Sequence, residues 1–227
     1  MKRILFFIPT YNDFELLSDI QQEIYNSYKN SNVIIINDGS TITAKNIDNR
    51  STYLELKANY GIGTTTLIAV DYMIDFDFDY LVRIDADGQH NVCDASKILE
   101  GLSCGSNLVV ANRINNNAGL DIRNLAKFIV GFIGYVVTRR LGIDFNTGFF
   151  GIDKVAAQSI RGMRLDVYPE PKIYLSMIKN TLIKVTSVEV EQNDRAFGKS
   201  SINFLNGVEV VYKFFLLSLD SIIKKRN

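Results

Sequence analysis

The chain has few of the residues that build disulfide or zinc frameworks. Among its 227 residues there are two cysteines and one histidine. Cys93 and Cys104 are eleven positions apart, and this spacing matches neither a zinc-ligand pattern nor a disulfide framework. We therefore predict that both cysteines are reduced and buried in the interior of a cytoplasmic protein.

The chain also lacks an excess of charge of either sign. It has 25 basic and 25 acidic residues, so we expect no nucleic-acid partner, because such binding depends on a strong positive field. The charge is uneven, however, since six basic residues and only two acidic ones occur from Arg195 onward. A basic C-terminal end suits phosphate groups or an anionic membrane surface.

Long apolar runs are missing as well. The apolar stretch after the N-terminal Lys-Arg pair ends at Pro9, which is too short for the apolar region of a signal peptide. The uncharged run over 128–138 falls well below the roughly 20 residues of a membrane span. The sequence thus predicts a cytoplasmic location, either free or peripheral on the inner face of the plasma membrane.

What the chain does contain is a regular alternation of apolar patterns. Short continuous apolar runs predict buried strands, and segments with apolar residues at helical spacing predict helices. In the first half, strands are predicted over 4–8, 33–36, 53–56, 80–84 and 108–111, and helices over 14–28 and 61–76. This alternation predicts an α/β fold with a mostly parallel central sheet flanked by helices.

The second half is less regular. Its patterns predict a helix over 125–141, strands over 149–152 and 182–190, and a last amphipathic helix with apolar residues from 208 to 223. We predict one α/β domain over 1–203 and a C-terminal amphipathic helix over 204–227. That helix packs on the domain, on a partner such as a second copy in a homodimer, or on a membrane surface.

Polar clusters follow three of the predicted strands, at residues 11–13, 37–40 and 85–90. Ligands of open parallel sheets bind beyond the carboxyl ends of the strands. We therefore expect the three clusters to meet at one rim of the sheet.

Asp85-Ala86-Asp87 is the most informative of these motifs. Its carboxylates stand two positions apart directly after a strand, so both can face one ligand. A hard divalent cation held by one or two carboxylates and by phosphate oxygens neutralises a nucleoside diphosphate as it leaves. The alternative is that Asp87-Gly88 is only a turn that closes the strand.

Further motifs occur in a defined order. They are residues 8–13 (IPTYND), 37–40 (NDGS), 59–63 (NYGIG), 85–90 (DADGQH), 111–113 (ANR), 146–150 (NTGFF), 168–171 (YPEP) and 195–201 (RAFGKSS). In order and spacing, from residue 4 to about 203, the chain resembles the family-2 glycosyltransferases, and among them the polyprenyl-phosphate mannose synthase group, bacterial members included. The resemblance implies a Rossmann-like GT-A fold, a nucleotide-diphosphate sugar as donor, inversion at the anomeric carbon, and Mg²⁺ or Mn²⁺ as cofactor.

The resemblance also implies roles for single residues. Asp87 and Gln89 match metal-facing positions, and Asp87 and Glu170 are the predicted catalytic residues, the latter as the acidic base. Asp13 stands where glutamate is more usual, and Asn37 where aspartate is frequent. The predicted nucleotide-sugar-binding residues are Pro9, Tyr11, Asp13, Asn37, Asp38, Asp85, Ala86, Arg113, Arg195 and Lys199.

Several of these residues have a simpler interpretation. Tyr11 either stacks on the base or packs as a half-buried tyrosine. Arg195 and Lys199 either grip the diphosphate or belong to an exposed basic loop. Glu170 is either the base or a carboxylate that complements a helix N-terminus. For His90 a packing or supporting role is favoured over direct chemistry.

The leading function is an enzyme that transfers a sugar to a lipid-linked or saccharide acceptor in cell-surface polysaccharide or glycolipid synthesis. A catalytically degenerate module that only binds a nucleotide sugar is the alternative from another class. A sugar nucleotidyltransferase is disfavoured because residues 9–13 are not a glycine-rich basic loop. A dinucleotide oxidoreductase is disfavoured because G-x-G-x-x-G does not follow the first strand.

Overall fold

The computed structural model describes residues 2–114, 122–138, 142–165 and 168–191, together with residue 216. Seven strands form one sheet in the described residues: β1 Ile4–Thr10, β2 Ser31–Asn37, β3 Thr52–Glu55, β4 Tyr80–Arg83, β5 Leu108–Ile114, β6 Phe150–Asp153 and β7 Val185–Glu191. The helices are α1 Leu17–Ser27, α2 Ile62–Asp75, α3 Ala95–Ser103, α4 Ile122–Thr138, α5 Lys154–Arg161 and α6 Glu170–Lys179, with a short 3₁₀ turn at Val92–Asp94.

The strand order across the sheet is β3-β2-β1-β4-β6-β5-β7. The pairs β2–β3, β1–β2, β1–β4 and β5–β7 are parallel, as the alternating pattern predicts. β6 runs antiparallel to both of its neighbours. Because β6 is reversed, the residues that precede it arrive at the edge where β4 and β5 end, and Phe150 lies across from Arg83.

Helices cover the central strands on both faces, which explains the continuous apolar stretches over 4–8 in β1 and 33–36 in β2. Successive side chains of a strand point to opposite faces. In β1, Leu5 and Phe7 belong to the core layer under α2, α5 and α6, while Phe6 and Ile8 belong to the layer under α1 and α3. Burial on both faces thus fixes the sheet's register and holds the strand ends in place.

The structure corrects the cysteine prediction. Cys93 and Cys104 are both exposed and reduced. Cys93 lies in the 3₁₀ turn before α3, and Cys104 caps the C-terminal end of that helix. α3 buries its other face through Ala95, Ile98 and Leu102, so the two thiols fall on the surface at its ends.

Other differences concern helices. α3 and α5 were not predicted, since each is short, with nine and eight residues. α1 begins at Leu17 rather than at residue 14. The predicted C-terminal helix and the domain boundary near residue 203 lie outside the described residues, apart from the isolated helical residue 216. Within the described part, no helix has the length and apolarity needed to cross a membrane.

Candidate active site

The three predicted polar clusters meet at one rim of the sheet. The amide of Asp38 donates to the carbonyl of Thr10 at 2.9 Å, and the amide of Asn12 donates to the Ser40 hydroxyl at 2.8 Å. On the other side of β1, the amide of Ile84 donates to the carbonyl of Phe7 at 3.0 Å. The loops after β1, β2 and β4 therefore lie side by side, because their strands are parallel neighbours.

The loop after β1 presents an aromatic ring to solvent. Pro9 is buried at the end of β1, whereas the Tyr11 side chain is 46% exposed. Asn12 has a left-handed backbone (φ 55°), and its side-chain oxygen accepts from the amide of Thr41 at 2.8 Å. Asp13 follows in the same loop, where its carbonyl accepts from the Thr10 hydroxyl at 2.6 Å. The loop is thus held by its polar contacts, and Tyr11 is accessible at the rim.

The loop after β2 is shaped by its own polar side chains. Asn37 donates from its amide group to the Tyr53 hydroxyl at 2.8 Å. The buried carboxylate of Asp38 accepts from the amide of Tyr60 at 2.7 Å and from the amide of Gly61 at 2.8 Å. Asp38 therefore fastens the β2 loop to the start of α2. A carboxylate has about four acceptor positions, so these two bonds leave it capacity for a ligand.

The loop after β4 is a compact polar turn. Asp87 accepts the amide of Gln89 at 3.0 Å, and His90 Nδ1 accepts the amide of Asp85 at 3.2 Å. Ala86 is buried between the two aspartates. The turn alternative for Asp87 is thus present in the structure, and it is compatible with a ligand role, since it fixes where this carboxylate lies.

His90 packs inside this turn. Its ring stacks on Phe149 with 4.8 Å between the ring centroids, and it is almost fully buried. Burial lowers the pKa of His90, although Asp85 and Asp87 oppose the shift. A neutral ring with Nδ1 as acceptor therefore supports the loop, as the favoured packing interpretation holds.

A buried arginine that the sequence analysis did not single out joins the two sides of the site. Arg83, the last residue of β4, has a side chain only 2% exposed. Its Nε donates to Asp85 Oδ1 at 2.9 Å, and Nη2 lies 2.8 Å from the same oxygen. Its Nη1 donates to Glu170 Oε1 at 2.5 Å. Arg83 thus holds carboxylates from the β4 loop and from the first turn of α6.

The two carboxylates respond differently to this arrangement. Burial favours the neutral form of Asp85, but the Arg83 guanidinium outweighs burial and lowers the pKa of this carboxyl. At Glu170, burial outweighs the same guanidinium and raises the pKa. The Glu170 side chain is the less exposed of the two, at 10% against 28% for Asp85.

A second ion pair lies beside the first. Arg113, at the end of β5, donates from Nε to Asp144 Oδ2 at 2.7 Å. The amide of Asp144 donates to the side-chain oxygen of Asn112 at 2.8 Å. Burial alone would lower the pKa of Arg113, but the ion pair with Asp144 outweighs burial and raises this pKa. The guanidinium therefore stays charged. Asp144 is therefore a site residue that the sequence analysis missed.

The residues before β6 close the floor of the site. The Tyr174 hydroxyl of α6 donates to the carbonyl of Thr147 at 2.7 Å. A Cβ placed on Gly148 would come within 2.6 Å of both Arg83 Nη2 and Asp85 Oδ2. Only glycine leaves room there for the guanidinium, which explains the glycine of the NTGFF motif in physical terms.

The donor set at this rim fits a hard divalent cation that also binds phosphate. Arg83 pairs with Asp85 and Glu170, and Arg113 pairs with Asp144. The contact of the Asp87 carboxylate with the amide of Gln89 involves neither arginine. In the described ranges, no three acidic, histidine or cysteine side chains cluster tightly enough to hold a metal by themselves. A cation that shares phosphate oxygens needs only one or two protein ligands, and Asp87 and Gln89 supply oxygens. Arg195 and Lys199 lie outside the described residues.

Residues 6–166 match the sequence model of the family described as glycosyl transferase family 2. The chain belongs to this family, which confirms the resemblance seen in its motifs.

Curated relatives span much of its length. The UDP-N-acetylglucosamine–dolichyl-phosphate N-acetylglucosaminyltransferase of Methanococcus voltae is 23% identical over 98% of both chains. The undecaprenyl-phosphate mannosyltransferase of Micrococcus luteus is 23% identical over 88% of both. The polyprenol monophosphomannose synthase of Mycolicibacterium smegmatis is 27% identical over 49% of this chain and 45% of its own.

Among solved structures, glucosyl-3-phosphoglycerate synthase from Mycobacterium tuberculosis superposes with a TM-score of 0.70 at 14% identity. The match covers 97% of this chain and 78% of that one. That crystal contains Mn²⁺, uridine diphosphate and phosphoglyceric acid. The similarity confirms the predicted GT-A fold.

Proposed function

We propose that the protein is an inverting, metal-dependent glycosyltransferase that moves a sugar from a nucleotide-diphosphate donor to a polyprenyl-phosphate-type acceptor. The observation that carries the proposal is the convergence of three donor-side loops at one rim, with Glu170 linked to that rim through Arg83. Two relatives support a lipid-linked acceptor, since one transfers N-acetylglucosamine from UDP-N-acetylglucosamine to dolichyl phosphate and the other is an undecaprenyl-phosphate mannosyltransferase. A saccharide acceptor is the other candidate within this class.

The donor nucleoside occupies the loops after β1 and β2. Tyr11 stacks on the base, while Asp38, with Pro9, Asp13 and Asn37 around it, contacts the base or the ribose. Asp38 suits this task because two backbone amides already orient its carboxylate. Arg113, and also Arg195 and Lys199 from the residues outside the described part, bind the diphosphate or the sugar.

The diphosphate lies over the turn after β4. Asp87 and Gln89 would hold Mg²⁺ or Mn²⁺, with Asp85 and Ala86 facing the ribose and phosphates. The cation supplies charge neutralisation to the departing nucleoside diphosphate. The structural neighbours that contain Mn²⁺ together with a uridine nucleotide support a divalent metal as cofactor.

Glu170 faces the acceptor. Direct displacement at the anomeric carbon needs a group that takes the proton of an acceptor hydroxyl. Burial raises the pKa of Glu170, which moves this carboxylate toward the range where a base is effective near neutral pH. With a phosphate acceptor, which is already anionic, no proton has to be removed. Glu170, whose pKa is raised by burial, would then act in its protonated form and donate a hydrogen bond to a phosphate oxygen.

A membrane contact is consistent with a lipid-linked acceptor. α4 exposes three large apolar side chains on the surface, Phe132, Tyr135 and Val136. Exposed apolar side chains of this kind favour the interface of a bilayer. The C-terminal amphipathic helix predicted over 204–227 would add to this surface, or would form a homodimer contact.

Thermal unfolding with a panel of nucleoside diphosphates and nucleotide sugars, with and without Mn²⁺, tests the donor site. A ligand that binds only the folded state raises the free energy of unfolding by about 2.7 kcal/mol at a hundredfold excess over its dissociation constant. We expect nucleotides of one base to raise the unfolding midpoint. This rise should require metal and should be absent in Asp87→Ala. A metal-independent rise that Asp87→Ala leaves unchanged would contradict the assignment of the metal site.

A further inference from the structure

We propose that Arg83 is a positioning residue that fixes the donor-side carboxylate of Asp85 and the acceptor-side carboxylate of Glu170 relative to each other. This inference rests on the function proposed above and adds to it a residue outside the motifs of the sequence. The buried guanidinium of Arg83 sets the distance between the carboxylates of Asp85 and Glu170.

The first observation is that burying the positive charge of the Arg83 guanidinium costs free energy. Arg83 is among the largest fully buried side chains of the described residues, and a buried guanidinium is tolerated only when it is paired and hydrogen-bonded. Asp85, two positions along the chain, supplies a local partner at 2.8–2.9 Å. The second partner, Glu170, is 87 positions away and comes from another element. The arginine thus ties α6 to the end of β4.

The second observation is the shape of the group. Guanidinium is planar and presents its donors in a rigid fork, so two carboxylates bound to different nitrogens have a fixed separation and orientation. A lysine has one compact ammonium on a flexible stem and cannot reproduce that separation. The fork therefore acts as a spacer between Asp85 and Glu170, in addition to neutralising charge.

The third observation is how tightly the fork is enclosed. Gly148 lies so close that an added Cβ would be 2.6 Å from Arg83 Nη2. The carbonyl of the preceding Thr147 accepts from Tyr174, one turn along α6 from Glu170. Arg83, the segment before β6 and the start of α6 therefore form one packed unit. Any other placement of the guanidinium would require this unit to open.

Loss of Arg83 should affect the rate of transfer more than the binding of the donor. Reacting groups must be held within a fraction of an ångström, and a misplacement of 1 Å can cost about 100-fold in rate. Tyr11 follows β1 and Asp38 follows β2, so the donor contacts proposed for these two residues do not pass through Arg83 at the end of β4. A change at Arg83 should therefore lower kcat by a larger factor than it raises the KM for the donor, since of its two carboxylate partners only Asp85 is proposed to contact the donor.

The test compares Arg83→Met and Arg83→Lys with wild type, each as a purified full-length chain checked for folding by its unfolding midpoint. The matched control is Arg161→Met, since Arg161 on α5 also bridges two carboxylates, Asp71 at 2.9 Å and Asp75 at 3.1 Å. We expect Arg83→Met to lower kcat about 100-fold and to raise the donor KM by a clearly smaller factor. Arg83→Lys should recover part of this loss, and Arg161→Met should have the kcat of wild type.

A double-mutant cycle separates positioning from a purely structural role. If Arg83 acts through Glu170, Arg83→Met costs much less in a Glu170→Gln background than in wild type. The full loss in that background, or a loss that only follows the folded fraction, would overturn the inference. If Arg83→Met does not fold, Arg83→Lys decides, and a kcat equal to wild type refutes the inference. A wild-type protein that transfers no sugar from any donor refutes the proposed function itself, whereas an active wild type indifferent to Arg83 refutes only this inference.

Discussion

Gly148→Ala is the change that tests the geometry of the site most simply. A methyl group at this position would lie 2.6 Å from Arg83 Nη2 and 2.6 Å from Asp85 Oδ2, well inside contact distance. The guanidinium cannot swing aside, because it is held by two carboxylates at 2.5–2.9 Å. The substitution must therefore displace the Arg83–Asp85 pair or the backbone before β6.

The expected cost follows from overpacking. Forcing an extra methyl into a packed region typically costs about 1–3 kcal/mol. For a chain of this length, each kcal/mol lowers the unfolding midpoint by about 2–4 °C. We therefore expect a drop of several degrees in Gly148→Ala, together with a loss of transfer activity at temperatures where the variant is still folded.

Gly162→Ala is the matched control. Gly162 follows α5 with φ −88°, a conformation that alanine adopts readily, and a Cβ there meets nothing within 4 Å. The free energy of unfolding of Gly162→Ala, measured in urea, should stay within about 0.5 kcal/mol of the wild-type value. Equal stability and activity of the two variants would show that Arg83 is not packed against Gly148 as described.

Three further predictions concern other parts of the chain. Gly39→Ala should destabilise far more than Gly105→Ala in thermal unfolding. Both glycines have positive φ, but a Cβ at Gly39 would come within 2.3 Å of a backbone carbon, whereas at Gly105 it meets open space. With a hydroxyl acceptor, from which Glu170 would take a proton, this base must be ionised, and burial raises its pKa above the ordinary 4.5. With such an acceptor kcat/KM should fall as pH drops through a value above 4.5, and Glu170→Gln should abolish this limb of the profile. Cys93 and Cys104 are exposed, so a thiol reagent should titrate two groups in the native protein. Titration only after denaturation would contradict the surface placement.

The sequence predicted the parts of the fold that depend on local pattern. Buried parallel strands appear as continuous apolar runs, and the motifs at their ends predict a common rim because parallel neighbours end on the same side. The direction of β6 was beyond this reasoning. A four-residue apolar strand looks the same in either direction, and only its pairing with β4 and β5 reveals the reversal.

Site residues whose partners are distant in sequence were the ones missed. Arg83 carried one usable signal, because a charged residue inside the apolar run that ends at Ile84 requires a buried partner. Nothing in the sequence identified Glu170 as that partner. Asp38 was predicted to bind the nucleoside, whereas its contacts with the amides of Tyr60 and Gly61 follow from where α2 begins.

The central claim is that the rim catalyses sugar transfer with a divalent cation held at Asp87. The most direct measurement is release of nucleoside diphosphate from a panel of nucleotide sugars in the presence of a polyprenyl phosphate and Mn²⁺, with the lipid product detected by mass. The account predicts release and lipid glycosylation with one donor class, both abolished by a chelator and in Asp87→Ala. Metal-dependent binding of a nucleotide sugar without any release or product would contradict it, and would identify the chain as a binding module that does not catalyse transfer.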